Sequence, residues 1–176
     1  QKEAIKCFNE AISLNPKNIK AYMQRGLALE TLEKNEEAIE CFNKALNLNA
    51  NSAQAYKAKG QFLQKMGKNK KALECYNKAI ELKPNDYWTY NSKGSVLQKM
   101  GKKEEAIRCY DRAIHLNPKN ILAYMNKGRI LKDIGKNRKA LQCFEMVISL
   151  NPKNIKAYMQ RGFALRNIGK KKEALQ

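Results

Sequence analysis

The sequence predicts an all-α chain: an α-solenoid, a right-handed superhelix of antiparallel helix pairs with a 34-residue period. Three observations carry that expectation. The five cysteines, Cys7, Cys41, Cys75, Cys109 and Cys143, follow one another at intervals of 34 residues. The segment Ile12 to Leu29, ISLNPKNIKAYMQRGLAL, returns as Ile148 to Leu165 with one exchange, Leu27 against Phe163, and the interval of 136 residues is four times 34. Within each period, small, aromatic and aliphatic residues recur at helical spacing on one face, and then again on a second face after a break. That pattern marks two amphipathic helices per period and leaves no alternation for strands.

Taken in order, with position 1 of each period set at Ile19, residues 1–18 are the second helix of a partial repeat. Ala4, Phe8 and Ala11 share its inner face, and Pro16 stops it. Residues 19–52 form a full repeat, with Tyr22, Gly26 and Leu29 on its first helix and Ala38, Phe42 and Ala45 on its second. Residues 53–86 repeat the arrangement with Tyr56, Gly60 and Leu63, a break at MGK, and Ala72, Tyr76 and Ala79 before Pro84. In residues 87–120 the same places hold Tyr90, Gly94 and Leu97, another MGK, then Ala106, Tyr110 and Ala113 before Pro118. Residues 121–154 hold Tyr124, Gly128 and Leu131, an IGK break, then Ala140, Phe144 and Val147 before Pro152. Residues 155–176 are a partial repeat with Tyr158, Gly162 and Leu165, and Ala174 opens its second helix. Glycine and alanine remove bulk where paired helices must approach closely, and the aromatics fill the adjoining space. The whole chain, 1–176, therefore reads as a single array.

The stretches AYMQRGLAL…EEAIECFNKAL and AYMNKGRIL…RKALQCFEMVI…NP resemble the tetratricopeptide repeat, and the resemblance runs from end to end of the chain. Two departures are consistent. Tyr stands at position 4 where the family often has Trp, and Arg25, Lys59, Lys93, Lys127 and Arg161 stand at position 7 where Leu is common. A basic side chain can lay its stem on the apolar stripe and keep its charge in water, so the fold tolerates them.

The resemblance implies a non-enzymatic protein–protein interaction scaffold whose concave groove is walled by positions 2, 5, 9, 12 and 13 of each first helix. On those positions the partner-binding candidates are Lys20, Met23, Lys57, Gln61, Lys65, Trp88, Asn91, Ser95, Lys99, Met125, Arg129, Lys132, Lys156, Met159, Phe163 and Arg166; Gln64, Gln98 and Leu122 fall on the same wall. Eight of the 25 wall residues are basic and only Glu30 and Asp133 are acidic, a denser positive charge than the chain's overall +19 over 176 residues. The expected partner is a peptide or partner segment, for which an acidic and a non-acidic character both stay open, with Met23, Met125, Met159, Trp88 and Phe163 as apolar anchors and lysines as steering charges. Trp88 is the expected hot spot, because the repeat itself does not require an aromatic there. The plainer reading of Trp88 is packing on Tyr87, and Lys and Asn are abundant throughout the chain.

Other functions find less support. Members of the family that grip a chaperone's C-terminal carboxylate do so with a Lys/Asn set, and the best register here gives Lys57, Gln61, Ser92, Leu122 and Asn126, of which only Lys57 matches. Nucleic acid suits the basic charge, yet the wall has no ladder of stacking aromatics. A structural spacer in a large assembly is a further reading. There is no C-x-x-C pair and His115 is the only histidine, so neither a metal site nor a cofactor is expected, and no nucleophile, base and orienter set suggests an enzyme. The cysteine ladder is read as helix packing, since equivalent helices lie about 10 Å apart and a disulfide needs Cα atoms within roughly 7 Å. Free thiols suggest a reducing, cytoplasmic location, and the sequence has no apolar run long enough to span a membrane and no signal peptide. Because the array opens on a lone second helix and closes within a repeat, without polar caps, a longer parent protein or head-to-tail self-association is expected.

Overall fold

The computed structural model describes residues 1–169, and within them the chain is all α-helix, with no strand. Ala174 and the start of a second helix after the last glycine lie outside the described residues. The helices are α1 (Lys2–Leu14), α2 (Ile19–Glu30), α3 (Asn35–Leu48), α4 (Ala53–Lys65), α5 (Asn69–Leu82), α6 (Tyr87–Lys99), α7 (Lys103–Leu116), α8 (Ile121–Asp133), α9 (Asn137–Leu150) and α10 (Ile155–Asn167). The pairs α2–α3, α4–α5, α6–α7 and α8–α9 are the expected antiparallel hairpins. Two compact units are present, one from Gln1 to Asn85 and one from Asp86 onward.

In the first unit Ala38, Phe42, Ala45, Ala72, Tyr76 and Ala79 are sealed from solvent, and the Phe42 ring packs on Phe62 at a centroid distance of 5.6 Å. In the second unit Ala106, Tyr110, Ala113, Ala140, Phe144 and Val147 take the same roles. The reason for the glycine at position 8 is direct: a Cβ built on Gly128 would stand 2.6 Å from a ring carbon of Phe144. Only a bare backbone lets the aromatic of the second helix lie across the first. Two buried tyrosines also need a polar partner, and each finds it one helix away. Tyr76 donates to Gln64 Oε1 at 2.8 Å and Tyr110 to Gln98 Oε1 at 3.2 Å. In the repeats that carry Phe42 and Phe144 instead, the equivalent residues are Glu30 and Lys132.

Helix ends follow a repeating chemistry. Asn18, Ser52, Asp86, Asn120 and Asn154 cap the first helices, each with a side-chain oxygen that accepts from a backbone N–H of the first turn. Asn15, Asn49, Asn117 and Asn151 end second helices, and each side chain accepts from the backbone N–H two residues on, which turns the chain toward the next helix. Between paired helices, Gly67, Gly101 and Gly135 adopt positive φ, whereas the first full repeat places Glu33 there at φ 59°.

Candidate functional site

Positions 2, 5 and 9 of a first helix share a face, so each unit gathers its candidates according to how many first helices it contains. The first unit contributes α2 and α4. There Lys20 and Gln61 are exposed and Lys57 is half-buried. Lys65 is exposed but forms an ion pair with Glu30 of the preceding first helix, so its charge is already answered. Met23 corrects the sequence reading: at 5% exposure it belongs to the core of this unit and is not an anchor open to a partner. The α4 helix packs beside α2.

The second unit contributes α6, α8 and α10, and it brings candidates from all three together. Trp88 at the start of α6, Met125 and Arg129 on α8 and Lys156 on α10 line one open cavity of about 530 Å³. Tyr87 and Leu122 extend its apolar wall, and Asn117, Lys119 and Asn120 of the loop before α8 complete its rim. Trp88 packs on Tyr87, ring centroids 5.3 Å apart, as the plainer reading expects, and it is still 49% exposed. Its backbone is held by Asp86, whose carboxylate accepts from Trp88 N–H at 3.2 Å and from the Thr89 hydroxyl at 2.8 Å.

Asn91 is a second correction. It is 3% exposed, so a partner cannot reach it without displacing its neighbours. Ser95 is half-buried and Lys99 exposed at the far end of α6. A smaller group forms between α8 and α10: Lys132 donates to Gln160 Oε1 at 2.9 Å, and the Phe163 ring lies 5.5 Å from the Lys132 ammonium and 5.4 Å from the Arg166 guanidinium. Such cation–π contacts leave the ring's edge for a partner. Met159 is well exposed on the same helix.

The charge around the cavity is one-sided. Lys119, Arg129 and Lys156 line it and no Asp or Glu does. Among the described residues none of these three cations forms an ion pair. Tyr110, under α8, is held far above the ordinary phenol range, chiefly by burial, while Arg129 and a hydrogen bond with Asn126 pull the other way. It remains a neutral structural group. The rim residues Asn117, Lys119 and Asn120 escape a helix-face reading because they sit in a loop; the cap and turn chemistry of the two asparagines was the available signal. No group of three or more His, Cys, Asp or Glu residues suited to a metal ion occurs among the described residues.

Comparison with known proteins agrees with the helix-pair architecture. The tetratricopeptide repeat profile matches residues 19–52, 53–86, 87–120 and 121–154, and related profiles for the same repeat match 1–33 and 143–176. A search of curated proteins returned no match. Among solved structures the chain is similar to the MamA protein, with 28% identity and a TM-score of 0.83 over 89% of this chain and 86% of that one. It is similar to YrrB, described as a TPR protein with an unusual peptide-binding site, with 25% identity and a TM-score of 0.79 over 96% and 87%. It is also similar to pilF of Pseudomonas aeruginosa, with 26% identity and a TM-score of 0.78 over 90% and 72%. The 34-residue beat, the glycine–aromatic contact inside each hairpin and four contiguous matched repeats lead to one assignment: the chain belongs to the tetratricopeptide repeat family.

Proposed function

We propose that this chain is a non-enzymatic scaffold that holds a segment of a partner protein against the exposed faces of its first helices. The observation that carries the reading is the meeting of Trp88, Met125, Arg129 and Lys156, from three successive first helices, around one cavity. Apolar surface beside cations that form no ion pair among the described residues suits a segment that offers both an apolar side chain and negative charge. The similar YrrB, a TPR protein with a peptide-binding site, supports the same kind of partner. Lys20, Lys57, Gln61, Lys65, Ser95, Lys99, Lys132, Met159, Phe163 and Arg166 form the remaining proposed contact surface, read within each unit. The helices among the described residues are too short and polar to cross a membrane.

Nucleic acid is the competing class, on the strength of the net charge of +19. A pull-down from native extract, with and without nuclease, separates the two, with mass spectrometry of the retained proteins. The scaffold reading expects a discrete protein that survives nuclease and is lost when Trp88→Ala and Arg129→Gln are combined. Retention that vanishes with nuclease, and is indifferent to those substitutions, would refute it.

A further inference from the structure

We infer that the cavity of the second unit is a subsite for an internal acidic stretch of a partner, in which one apolar side chain enters between carboxylate-bearing neighbours. This rests on the scaffold reading and specifies its ligand. The apolar wall is Trp88, Leu122 and Met125, and the charged rim is Lys119, Arg129 and Lys156. The three cations come from three different elements, the loop before α8, α8 itself and α10, and no carboxylate answers them among the described residues. Asp86, the nearest acid in sequence to Trp88, already accepts from the start of α6. A single terminal carboxylate would leave part of this charge unmet, whereas several side-chain carboxylates along an extended segment can meet it.

An independent observation lies at the cavity's edge. Asn120 is 6% exposed and lines the cavity, and its Oδ1 is spent on the Ala123 N–H at 3.2 Å. Its Nδ2 group has no acceptor among the described residues. A buried donor without a partner is costly, and a carboxylate oxygen seated at the rim can meet it once the Asn120 side chain shifts toward the cavity that it lines. The nucleic-acid alternative is less well served: the cavity's aromatics, Tyr87 and Trp88, pack on each other, tilted by 31°, instead of forming a ladder along the first helices on which successive bases could stack.

Trp88 is the chain's only tryptophan, so its emission reports on this cavity without labelling. The probe is a short synthetic peptide, acetylated and amidated, with one leucine between two pairs of glutamates and a fluorophore at one end. Anisotropy reads binding anywhere on the chain, and Trp88 emission reads binding at the cavity. The expected result is that both respond together, and that exchanging the glutamates for glutamines or the leucine for serine weakens both. Combining Arg129→Gln with Lys156→Gln should lower affinity about tenfold or more. Removing the same charge through Lys70→Gln and Lys71→Gln on α5 should change little. All these side chains are exposed, and circular dichroism verifies that each variant folds. Anisotropic binding with unchanged Trp88 emission and normal affinity in the double variant would overturn the subsite while leaving the scaffold reading intact. Absence of peptide binding would overturn it as well. So would an oligothymidylate of equal charge that moves Trp88 emission more tightly than the peptide, and this outcome would also count against the scaffold.

Discussion

Cys7 and the four cysteines that repeat it show how one residue type in one register acquires different chemistry. Cys7 is exposed, whereas Cys41, Cys75, Cys109 and Cys143 are buried in the helix pairs. Burial raises the pKa of each buried thiol, against the opposing pull of a basic residue at position 7: Arg25, Lys59, Lys93 and Lys127 respectively. The thiol, not the thiolate, is therefore the folded form at neutral pH. Iodoacetamide should modify one cysteine of the native chain rapidly, Cys7, and the other four only after denaturation; fast labelling of a second site by mass spectrometry would contradict this. Stability has a matching pH signature. A raised folded-state pKa means that the folded chain retains protons that the unfolded chain releases. The contribution is thus complete below the thiol's unfolded range, about 8.5 to 9, and is lost as pH climbs through the higher folded values. Tyr110 acts in the same direction at higher pH. Melting temperatures followed by circular dichroism should hold steady to about pH 8.5 and then fall, and a flat profile to pH 11 would be inconsistent with buried protonated thiols.

Helices pair here by a contact between backbone and ring, and that contact sets how much change an element tolerates. At Gly128 an added methyl would stand 2.6 Å from the Phe144 ring, with Cys143 Cβ at 3.1 Å, so ring and helix must both shift. Overpacking of this kind costs about 1–3 kcal/mol, against a gain of up to about 1 kcal/mol for alanine over glycine in a helix. Gly128→Ala should therefore destabilise by up to about 2–3 kcal/mol, and Gly26→Ala, whose nearest atom is Phe42 Cζ at 3.0 Å, by less. Urea denaturation of the two variants checks the order. The opposite change is available in the turn between α2 and α3. Glu33 adopts φ 59°, where the later repeats have Gly67, Gly101 and Gly135 in the same place. Relief of left-handed strain outweighs the extra backbone entropy of glycine, so Glu33→Gly should stabilise by about 0.5–1 kcal/mol; a loss of stability would show that the Glu33 side chain contributes something beyond its backbone.

At the scale of the whole molecule, the first and last helices among the described residues, α1 and α10, both carry apolar side chains that are open. No residue of α1 is fully buried, although Ala4, Phe8 and Ala11 occupy the inner positions that Ala140, Phe144 and Val147 fill in α9. On α10, Ile155 is 75% exposed, and Tyr158, at the position that faces a second helix, is exposed as well. The α10 helix has the register of a first helix and α1 that of a second, and we propose that one copy's α1 covers another copy's α10. Apolar area left in water at roughly 25 cal/mol per Å² favours that contact. Because the two surfaces differ, the contact is heterologous and would extend rather than close. Light scattering on the 176-residue chain should show a molar mass that rises with concentration. A strictly monomeric chain across the series would rule this assembly out.

The period, the helix pairs and most of the core were legible in the sequence because they depend on local rules. Leu29, Leu63, Leu97, Leu131 and Leu165 are all buried, as their shared position at helical spacing demands. The caps at Asn18, Ser52, Asp86, Asn120 and Asn154 obey local rules too, since each is a residue type that favours the start of a helix. What register cannot convey is whether an outward face stays open, because that depends on the neighbours packed beside it. Met23 and Asn91 occupy the same position as Met125, yet they are buried while Met125 lines a cavity. Gln64 and Gln98 point to function by position but are tied to Tyr76 and Tyr110, and Lys65 is tied to Glu30. The cavity joins residues from three helices and a loop, so tertiary packing alone decided which candidates meet. Local sequence sets the direction of each side chain, and only the packed neighbours determine what it finds there.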